Sequence, residues 1–147
     1  MRRSLYLALV SVGLIGCSDS TGPDPLTISR LVGTWHLTSL FVTTHEQPPR
    51  SRDLVADGTQ TQTLTVTSDG HFNLNACVPN VLCADLPGTM EILGDSIHFA
   101  YESVSPSTVS ARLGGSTLTL GFDYTGYFLE TDDATQLLST RRVFQRQ

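Results

Sequence analysis

The chain contains no lysine: all nine of its basic residues are arginines, against 14 acidic residues, and the formal charge is −5. These arginines form no basic stripe, which argues against nucleic acid as a partner and against electrostatic attachment to a membrane. Long apolar runs are missing as well. The apolar stretch near the N-terminus, from Leu5 to Ile15, is too short for a membrane-spanning helix, which needs about 20 residues.

Sequence patterns of catalytic sites are also missing. No G-x-S-x-G nucleophile motif occurs, and no serine is accompanied by an ordered histidine and aspartate. The four histidines, which show no metal-ligand spacing, are His36, His45, His71 and His98, and His36 and His71 are expected to be solvated. Asp132-Asp133 lacks the loop of a calcium site and indicates a solvated turn. We therefore predict a protein that is not an enzyme, with no catalytic residue, cofactor or metal.

The N-terminus has the pattern of an export signal. Two arginines precede the apolar stretch, and the small residue Gly16 stands before Cys17, as in the charged, apolar and cleavage regions of secretory signals. Leu14-Ile15-Gly16-Cys17 also resembles the lipobox of bacterial lipoproteins, which implies removal of residues 1–16 and acylation of Cys17 with palmitate-type chains. The alternative is an ordinary secretory signal in which Cys17 is incidental.

The residues after Cys17 indicate a tether to a single domain. Residues 18–25, SDSTGPDP, offer nothing to bury and should be flexible, with a reach of about 15 Å. We assign residues 17–28 to the lipidated cysteine and its tether, and residues 29–147 to one domain. Ser18, by resemblance to enterobacterial lipoproteins, favours the outer membrane. The predicted location is therefore the bacterial cell envelope, with the membrane contacted through the lipid.

Two cysteines remain after Cys17. An exported chain meets an oxidising environment, so Cys77 and Cys83 are predicted to form a disulfide. Closing so short a loop stabilises a fold by about 2 kcal/mol in the chain-entropy model. Zinc is the competing interpretation, and two cysteines without a nearby histidine fail its ligand count.

From Leu31 onward the chain alternates apolar and polar residues with the period of a β-strand. Asp69-Gly70, Gly94-Asp95 and Gly114-Gly115 separate such runs and predict tight turns. The predicted strands lie near residues 34–45, 61–68, 71–77, 88–93, 96–102, 107–113, 116–124 and 135–146. About eight antiparallel strands, with no helix beyond a short turn near residues 53–56, predict an all-β sandwich or an up-and-down barrel.

Gly33-Thr34-Trp35 opens the first of these strands. A G-x-W motif at this place resembles the opening of lipocalins, of fatty-acid-binding proteins and of bacterial lipoproteins with a lipocalin-like domain. The resemblance implies a single antiparallel up-and-down β-barrel, in which Trp35 lies at the closed end under an arginine of the last strand. We expect that arginine to be Arg142, with Arg141 and Arg146 as alternatives. Gly33 is expected where the backbone approaches a neighbouring segment closely.

A second resemblance concerns the same arginine. Fatty-acid-binding proteins end in an inward-facing Arg-x-Tyr pair that holds the ligand carboxylate, and Arg142-Val143-Phe144 stands at that place. Phe144 lacks the phenol hydroxyl, and Pro48-Pro49 interrupts the segment where that family has a helical lid. The barrel-closing stack is therefore the favoured role of Arg142.

The resemblance implies an exported, lipid-anchored binding protein that holds a small hydrophobic molecule or lipid without catalysis. Barrels of about eight strands can hold one small ligand, or they can be filled by their own side chains. The residues expected to line a cavity, from strand phase alone, are Leu37, Phe41, Leu64, Val66, Phe72, Leu74, Ile97, Phe99, Leu118, Leu120 and Phe122. A filled barrel would instead bind an unidentified protein partner, or serve as a structural module of the envelope, through loops 46–60, 77–87 and 123–133.

An aromatic cluster near the C-terminus fits either interpretation. It consists of Phe122, Tyr124, Tyr127 and Phe128. Such side chains near a barrel end are typical of a mouth or of a partner-facing patch. The alternative is that Phe122 and Phe128 belong to the core, with the tyrosine hydroxyls in water.

Overall fold

The computed structural model describes residues 25–126 and 134–147, which form one short helix and nine strands. The helix α1 is Ile28–Leu31. The strands are β1 Gly33–Thr44, β2 Ser51–Asp53, β3 Thr61–Val66, β4 His71–Val78, β5 Leu82–Leu93, β6 Ser96–Tyr101, β7 Ser107–Gly114, β8 Thr117–Gly126 and β9 Gln136–Arg146. The signal segment, Cys17 and most of the tether lie outside the described residues.

Eight of the strands close into an antiparallel barrel. Each strand from β3 to β9 pairs with the next, β9 pairs with β1, and the first part of β1 pairs with β3. β2 lies outside this ring, beside residues 41–43 of β1. The predicted all-β up-and-down barrel is confirmed. α1 and β2, both very short, were not predicted, and β5 begins at Leu82 where the predicted strand began at residue 88.

β1 contains a bulge near its middle. Thr38 is an extra residue opposite β9, so the inward-facing side chains change phase at that point. Trp35 and Leu37 are buried before the bulge, and Leu40 and Val42 are buried after it. Odd-numbered residues of β1 therefore face the interior before the bulge, and even-numbered residues face it after the bulge.

β1 pairs with β3 at residues 33–36 and with β2 at residues 41–43, which leaves a gap between the two pairings. The carboxylate of Asp53 bridges this gap with hydrogen bonds. One oxygen accepts hydrogen bonds from the backbone amides of Leu40 at 3.0 Å, Val55 at 3.0 Å and Ala56 at 3.4 Å, and the other accepts from the Ser39 hydroxyl at 2.8 Å. Burial raises the pKa of Asp53, but these hydrogen bonds outweigh it and hold the pKa below its ordinary value. A hydrogen-bonded turn follows, in place of the short helix expected there.

One end of the barrel, which we call the capped end, is sealed by α1, Trp35 and Arg146. Trp35 is fully buried, and its indole nitrogen donates a hydrogen bond to the carbonyl oxygen of Leu31 at 2.7 Å. The guanidinium carbon of Arg146 lies 4.4 Å from the centre of the Trp35 ring, and the group donates to the carbonyl of Arg30.

An arginine of the last strand therefore stacks on Trp35, but the prediction that it is Arg142 is wrong. The register of β1 against β9 places Arg146 directly opposite Trp35. Both arginines share one face of β9, so strand phase alone cannot determine which of them lies at the end of the barrel.

Gly33 is required for a different reason from the one expected. Its φ is +129°, a conformation that residues with a Cβ rarely adopt, and a Cβ there would meet nothing within 4 Å. The close backbone approach occurs at Gly88 instead. A Cβ at Gly88 would stand 2.3 Å from the carbonyl oxygen of Ala100 on the neighbouring strand.

The predicted disulfide is confirmed. Cys77 and Cys83 lie opposite each other on β4 and β5, with their Cα atoms 4.0 Å apart, and are bridged. The segment 77–87 was expected to be a loop, but most of it belongs to these two strands, which extend past the other strands at this edge. Its composition, CVPNVLCADLP, lacks the alternation that predicts a strand, because both faces of this hairpin are largely outside the core.

Candidate ligand-binding site

The half of the barrel away from the capped end contains a cavity of about 140 Å³. We call this end the mouth, and the connections that surround it are residues 45–50, 54–60, 79–81 and 102–106. The cavity is lined by Leu64, Leu74, Phe99, Tyr101, Ser107, Val109, Leu120, Phe122, Arg142 and Phe144. Most of this lining is apolar. The barrel is therefore packed with side chains towards the capped end and has empty space towards the mouth.

The predicted lining residues divide between these two halves. Those that line the cavity are Leu64, Leu74, Phe99, Leu120 and Phe122. Those that are buried in the packed core outside the cavity are Leu37, Val66, Phe72, Ile97 and Leu118. Alternation therefore identified inward faces correctly in both groups. It carries no information on the height of a residue along the barrel axis, which decides whether that residue meets the cavity.

Phe41 is the predicted lining residue that the structure contradicts. It lies on the outer face of β1, where the guanidinium carbon of Arg141 is 4.9 Å from the centre of its ring. The bulge at Thr38 is the cause, because it turns Leu40 and Val42 inward instead.

Several lining residues were missed by the sequence analysis. Tyr101 and Val109 continue the inward alternation of β6 and β7, so extending the same pattern would have found them. Ser107 is in the same phase as Val109 but is polar, which gave no reason to place it inside. Arg142 and Phe144 were considered only as parts of a capping or carboxylate motif.

Arg142 places a guanidinium inside the barrel. Its central carbon lies 5.0 Å from the centre of the Phe122 ring. The Nε atom is buried and has no hydrogen-bond partner, and no carboxylate oxygen of the residues that the structure describes lies within 4.0 Å of the group. Burial lowers the pKa of Arg142, while Tyr101 and Tyr124 act in the opposite direction. Leaving a buried donor such as this Nε without a hydrogen-bond partner is unfavourable by about 1–3 kcal/mol.

A second pocket of about 210 Å³ adjoins the cavity towards the mouth. It shares Phe122 and Arg142 with the cavity, and its other lining residues are Leu40, Val42, Leu54, Gln60, Tyr124 and Thr140. The rings of Phe122 and Tyr124 are 5.9 Å apart, and burial raises the pKa of Tyr124 while Arg142 acts in the opposite direction. The guanidinium therefore stands between a largely apolar cavity and a second pocket whose lining is half polar.

The predicted aromatic cluster is partly accounted for by these pockets. Phe122 faces the interior, and Tyr124 lies at the edge of the second pocket with its side chain partly exposed. Tyr127 and Phe128 lie outside the described residues, as do Asp132 and Asp133.

The tip of the β4–β5 hairpin, residues 78–82, carries exposed apolar side chains beside the mouth. Val81 is 79% exposed and Leu82 is 67% exposed, and no charged residue occurs between the bridged cysteines. The Cys77–Cys83 disulfide joins the two strands at the base of this tip. We refer to it as the hairpin tip.

A serine, a histidine and an aspartate meet on the outer surface near the mouth. The Ser139 hydroxyl donates to Asp123 at 2.6 Å, and His45 Nε2 lies 2.7 Å from the same hydroxyl. Because the hydroxyl proton points to the carboxylate, Ser139 is not oriented against a histidine base as a nucleophile requires. These contacts join the connection that follows β1 to strands β8 and β9.

The other histidines make isolated contacts. His98 lies 2.9 Å from the Thr108 hydroxyl, and His71 is exposed near Asp69. His36 is less solvated than expected, because its Nε2 is buried without a partner. No group of three or more metal-ligating side chains occurs among residues 25–126 and 134–147.

Comparison with known proteins adds no family assignment. No protein-family model matches the chain, and no curated protein matches it in sequence. Within the described part of the chain, no helix combines the length and the apolar character that crossing a membrane requires. The likeness to lipocalin-type proteins therefore consists of the closed eight-strand barrel itself.

Proposed function

We propose that this barrel binds a small apolar molecule carrying an acidic group, and that it does so without catalysis. The apolar part would occupy the cavity, and the acidic group would accept hydrogen bonds from Arg142. The observation that carries the proposal is the buried, unpartnered Nε of Arg142 at the boundary between the apolar cavity and the second pocket. Charge-assisted bonds from arginine to carboxylate are strong and directional. The capping role belongs to Arg146, so Arg142 is not needed for it.

Binding to the cavity can be tested with paired valine variants. Val109 lines the cavity, whereas Val104 is exposed in the β6–β7 connection. We expect Val109→Phe to abolish saturable binding of apolar acids in an NMR titration, because the added ring would fill the space. Val104→Phe, the matched control, should leave the affinity unchanged. Binding that survives Val109→Phe in a folded protein would place the ligand elsewhere and contradict the proposal.

Export and lipid anchoring through Cys17 are a further part of the proposal, supported by the sequence of residues 1–25. The lipid would hold the barrel at an envelope membrane, and Ser18 favours the outer one. Mass spectrometry of membrane-extracted protein should show an acylated N-terminal Cys17, and Cys17→Ser should release the protein from membranes. A mature N-terminus at another residue would contradict this part.

A second candidate function, a protein-binding module of the envelope, is supported by the exposed hairpin tip. A photo-crosslinking residue at position 81 would test it, with position 93 as control, because Leu93 is also exposed but lies at the opposite end. A specific crosslinked protein at 81 and not at 93, together with an absence of ligand binding, would favour this function over the first.

A further inference from the structure

The size of the cavity restricts the ligand. An engineered apolar cavity of about 150 Å³ accepts one benzene molecule, and the cavity here has nearly the same volume, about 140 Å³. Sites for drug-sized ligands begin at about 300 Å³. A single six-membered ring therefore fits the cavity itself, whereas a long acyl chain would have to extend past Arg142 into the second pocket, half of whose lining residues are polar.

The wall of the cavity is suited to an aromatic ring. Phe99, Tyr101, Phe122 and Phe144 all contribute to it. The rings of Phe99 and Tyr101 are stacked at 6.0 Å, and Phe72 supports both edge-on from behind, at 5.0 and 5.2 Å. These mutual contacts fix the rings of the wall, so they offer faces and edges to a ligand ring at little entropic cost.

The cationic group stands at the boundary of this aromatic space. Arg142 belongs to the lining of both the cavity and the second pocket, and its guanidinium carbon lies over the Phe122 ring, 5.0 Å from the ring centre. An acid group attached directly to a ring in the cavity, or through one carbon, would therefore lie next to the guanidinium. A longer spacer would carry the acid group past it towards the mouth.

We infer that the ligand class of this site is a compact aromatic acid with one ring and an acid group at most one carbon away, as in benzoate or phenylacetate, and not a long-chain fatty acid. The inference rests on the proposed function, since it names the ligand of that same cavity. Beyond that function, it specifies that the ligand has one aromatic ring, that it is small enough for the cavity, and that at most one carbon separates the ring from the acid group.

The test is a set of NMR titrations on residues 18–147, which contain every core residue of the barrel. The probes are benzoate, phenylacetate, toluene, hexanoate and hexadecanoate. We expect 1:1 binding of the two aromatic acids, and binding at least about tenfold weaker for toluene, which lacks the charge, and for hexanoate, which lacks the ring. Hexadecanoate should not shift the resonances of the cavity residues.

Two arginine variants separate the acid group from the ring. Arg142→Gln should weaken benzoate binding at least about tenfold and leave toluene binding within about twofold. Arg141→Gln is the matched control, because Arg141 is the neighbouring arginine but stacks on Phe41 outside the barrel. It should change neither affinity. Thermal melts of both variants would establish that they are folded.

The possible outcomes distinguish this inference from the proposed function. Tight binding of hexadecanoate without binding of benzoate would overturn the inference and leave the proposed function standing. Equal affinity for toluene and benzoate, or no effect of Arg142→Gln, would overturn the role of the acid group. Absence of binding by every probe would overturn both, and would favour the protein-binding alternative.

Discussion

The capped end and the mouth half of the barrel use the same residue type in opposite ways. Arg146 and Arg142 lie on the same face of β9, four residues apart. Arg146 stacks on a buried tryptophan and donates to a backbone carbonyl, so its charge contributes to stability. Arg142 stacks on Phe122 but leaves a buried nitrogen without a partner. The arginine at the capped end contributes to packing, whereas the arginine in the mouth half keeps a buried polar nitrogen unsatisfied.

The largest effect is expected where the capped end is broken. Trp35→Ala should lower the free energy of unfolding by about 3–5 kcal/mol, because it removes a fully buried ring from a packed site. Phe122→Ala, in the half that already has space, should lower it by only about 1–2 kcal/mol. Urea unfolding followed by circular dichroism would measure both. Equal losses would show that the two ends do not differ in packing.

The sequence was sufficient for most of the barrel. Alternation, the Asp69-Gly70 turn and the G-x-W motif together predicted the strands, their antiparallel order and a tryptophan-sealed end. The pairing register was not predictable, since the extra residue Thr38 shifts β1 by one position and no local pattern marks it. That single bulge explains why Phe41 was placed inside.

The next largest effect is expected from the Cys77–Cys83 disulfide, which lies in the mouth half of the barrel. The bridged cysteines should stabilise the fold by about 2 kcal/mol through the short loop they close. Replacing both cysteines with serine should lower the free energy of unfolding by that amount. The unfolding transition, monitored by Trp35 fluorescence, should remain cooperative. A loss as large as that of Trp35→Ala would mean that the mouth contributes as much to stability as the capped end.

A smaller effect is expected at the gap between β1 and β3. Asp53→Asn should lower the unfolding free energy by about 1–2 kcal/mol at neutral pH, since the amide oxygen accepts less strongly and its nitrogen cannot accept at all. Because the folded pKa of Asp53 lies below its ordinary value, the carboxylate stabilises the barrel above about pH 4. That contribution disappears as the pH falls through the folded pKa.

Urea unfolding of wild type and Asp53→Asn across pH 3 to 7 would measure this dependence. The two stability curves should converge at the acid end. Asp57→Asn, which removes a surface ion pair with Arg52, is the control and should have an effect below about 1 kcal/mol at any pH. A constant difference between wild type and Asp53→Asn would contradict the role of the ionised carboxylate.

The binding site was less predictable than the fold for a physical reason. Leu64, Phe99 and Leu120 were placed inside correctly, yet a cavity is a volume left over by packing and has no signature in any one strand. Arg142 was noticed as a carboxylate-binding candidate, but the capping role was favoured because Phe144 lacks the phenol hydroxyl and Pro48-Pro49 interrupts the lid segment. The height of Arg142 along β9 depends on the register, which the sequence does not show. Only the pairing of Trp35 with Arg146 assigns the two arginines to their different positions.

The most direct test of the claim that Arg142 serves a ligand is the unfolding free energy of Arg142→Leu, measured beside Arg146→Leu in urea. We expect Arg146→Leu to lower the free energy of unfolding by about 1–2 kcal/mol, through a lost stack and an unpaired carbonyl. Arg142→Leu should leave the unliganded barrel as stable as wild type, or more stable by up to about 1 kcal/mol, because it removes a buried nitrogen that has no hydrogen-bond partner. A loss in Arg142→Leu as large as that in Arg146→Leu would show that Arg142 is a structural residue.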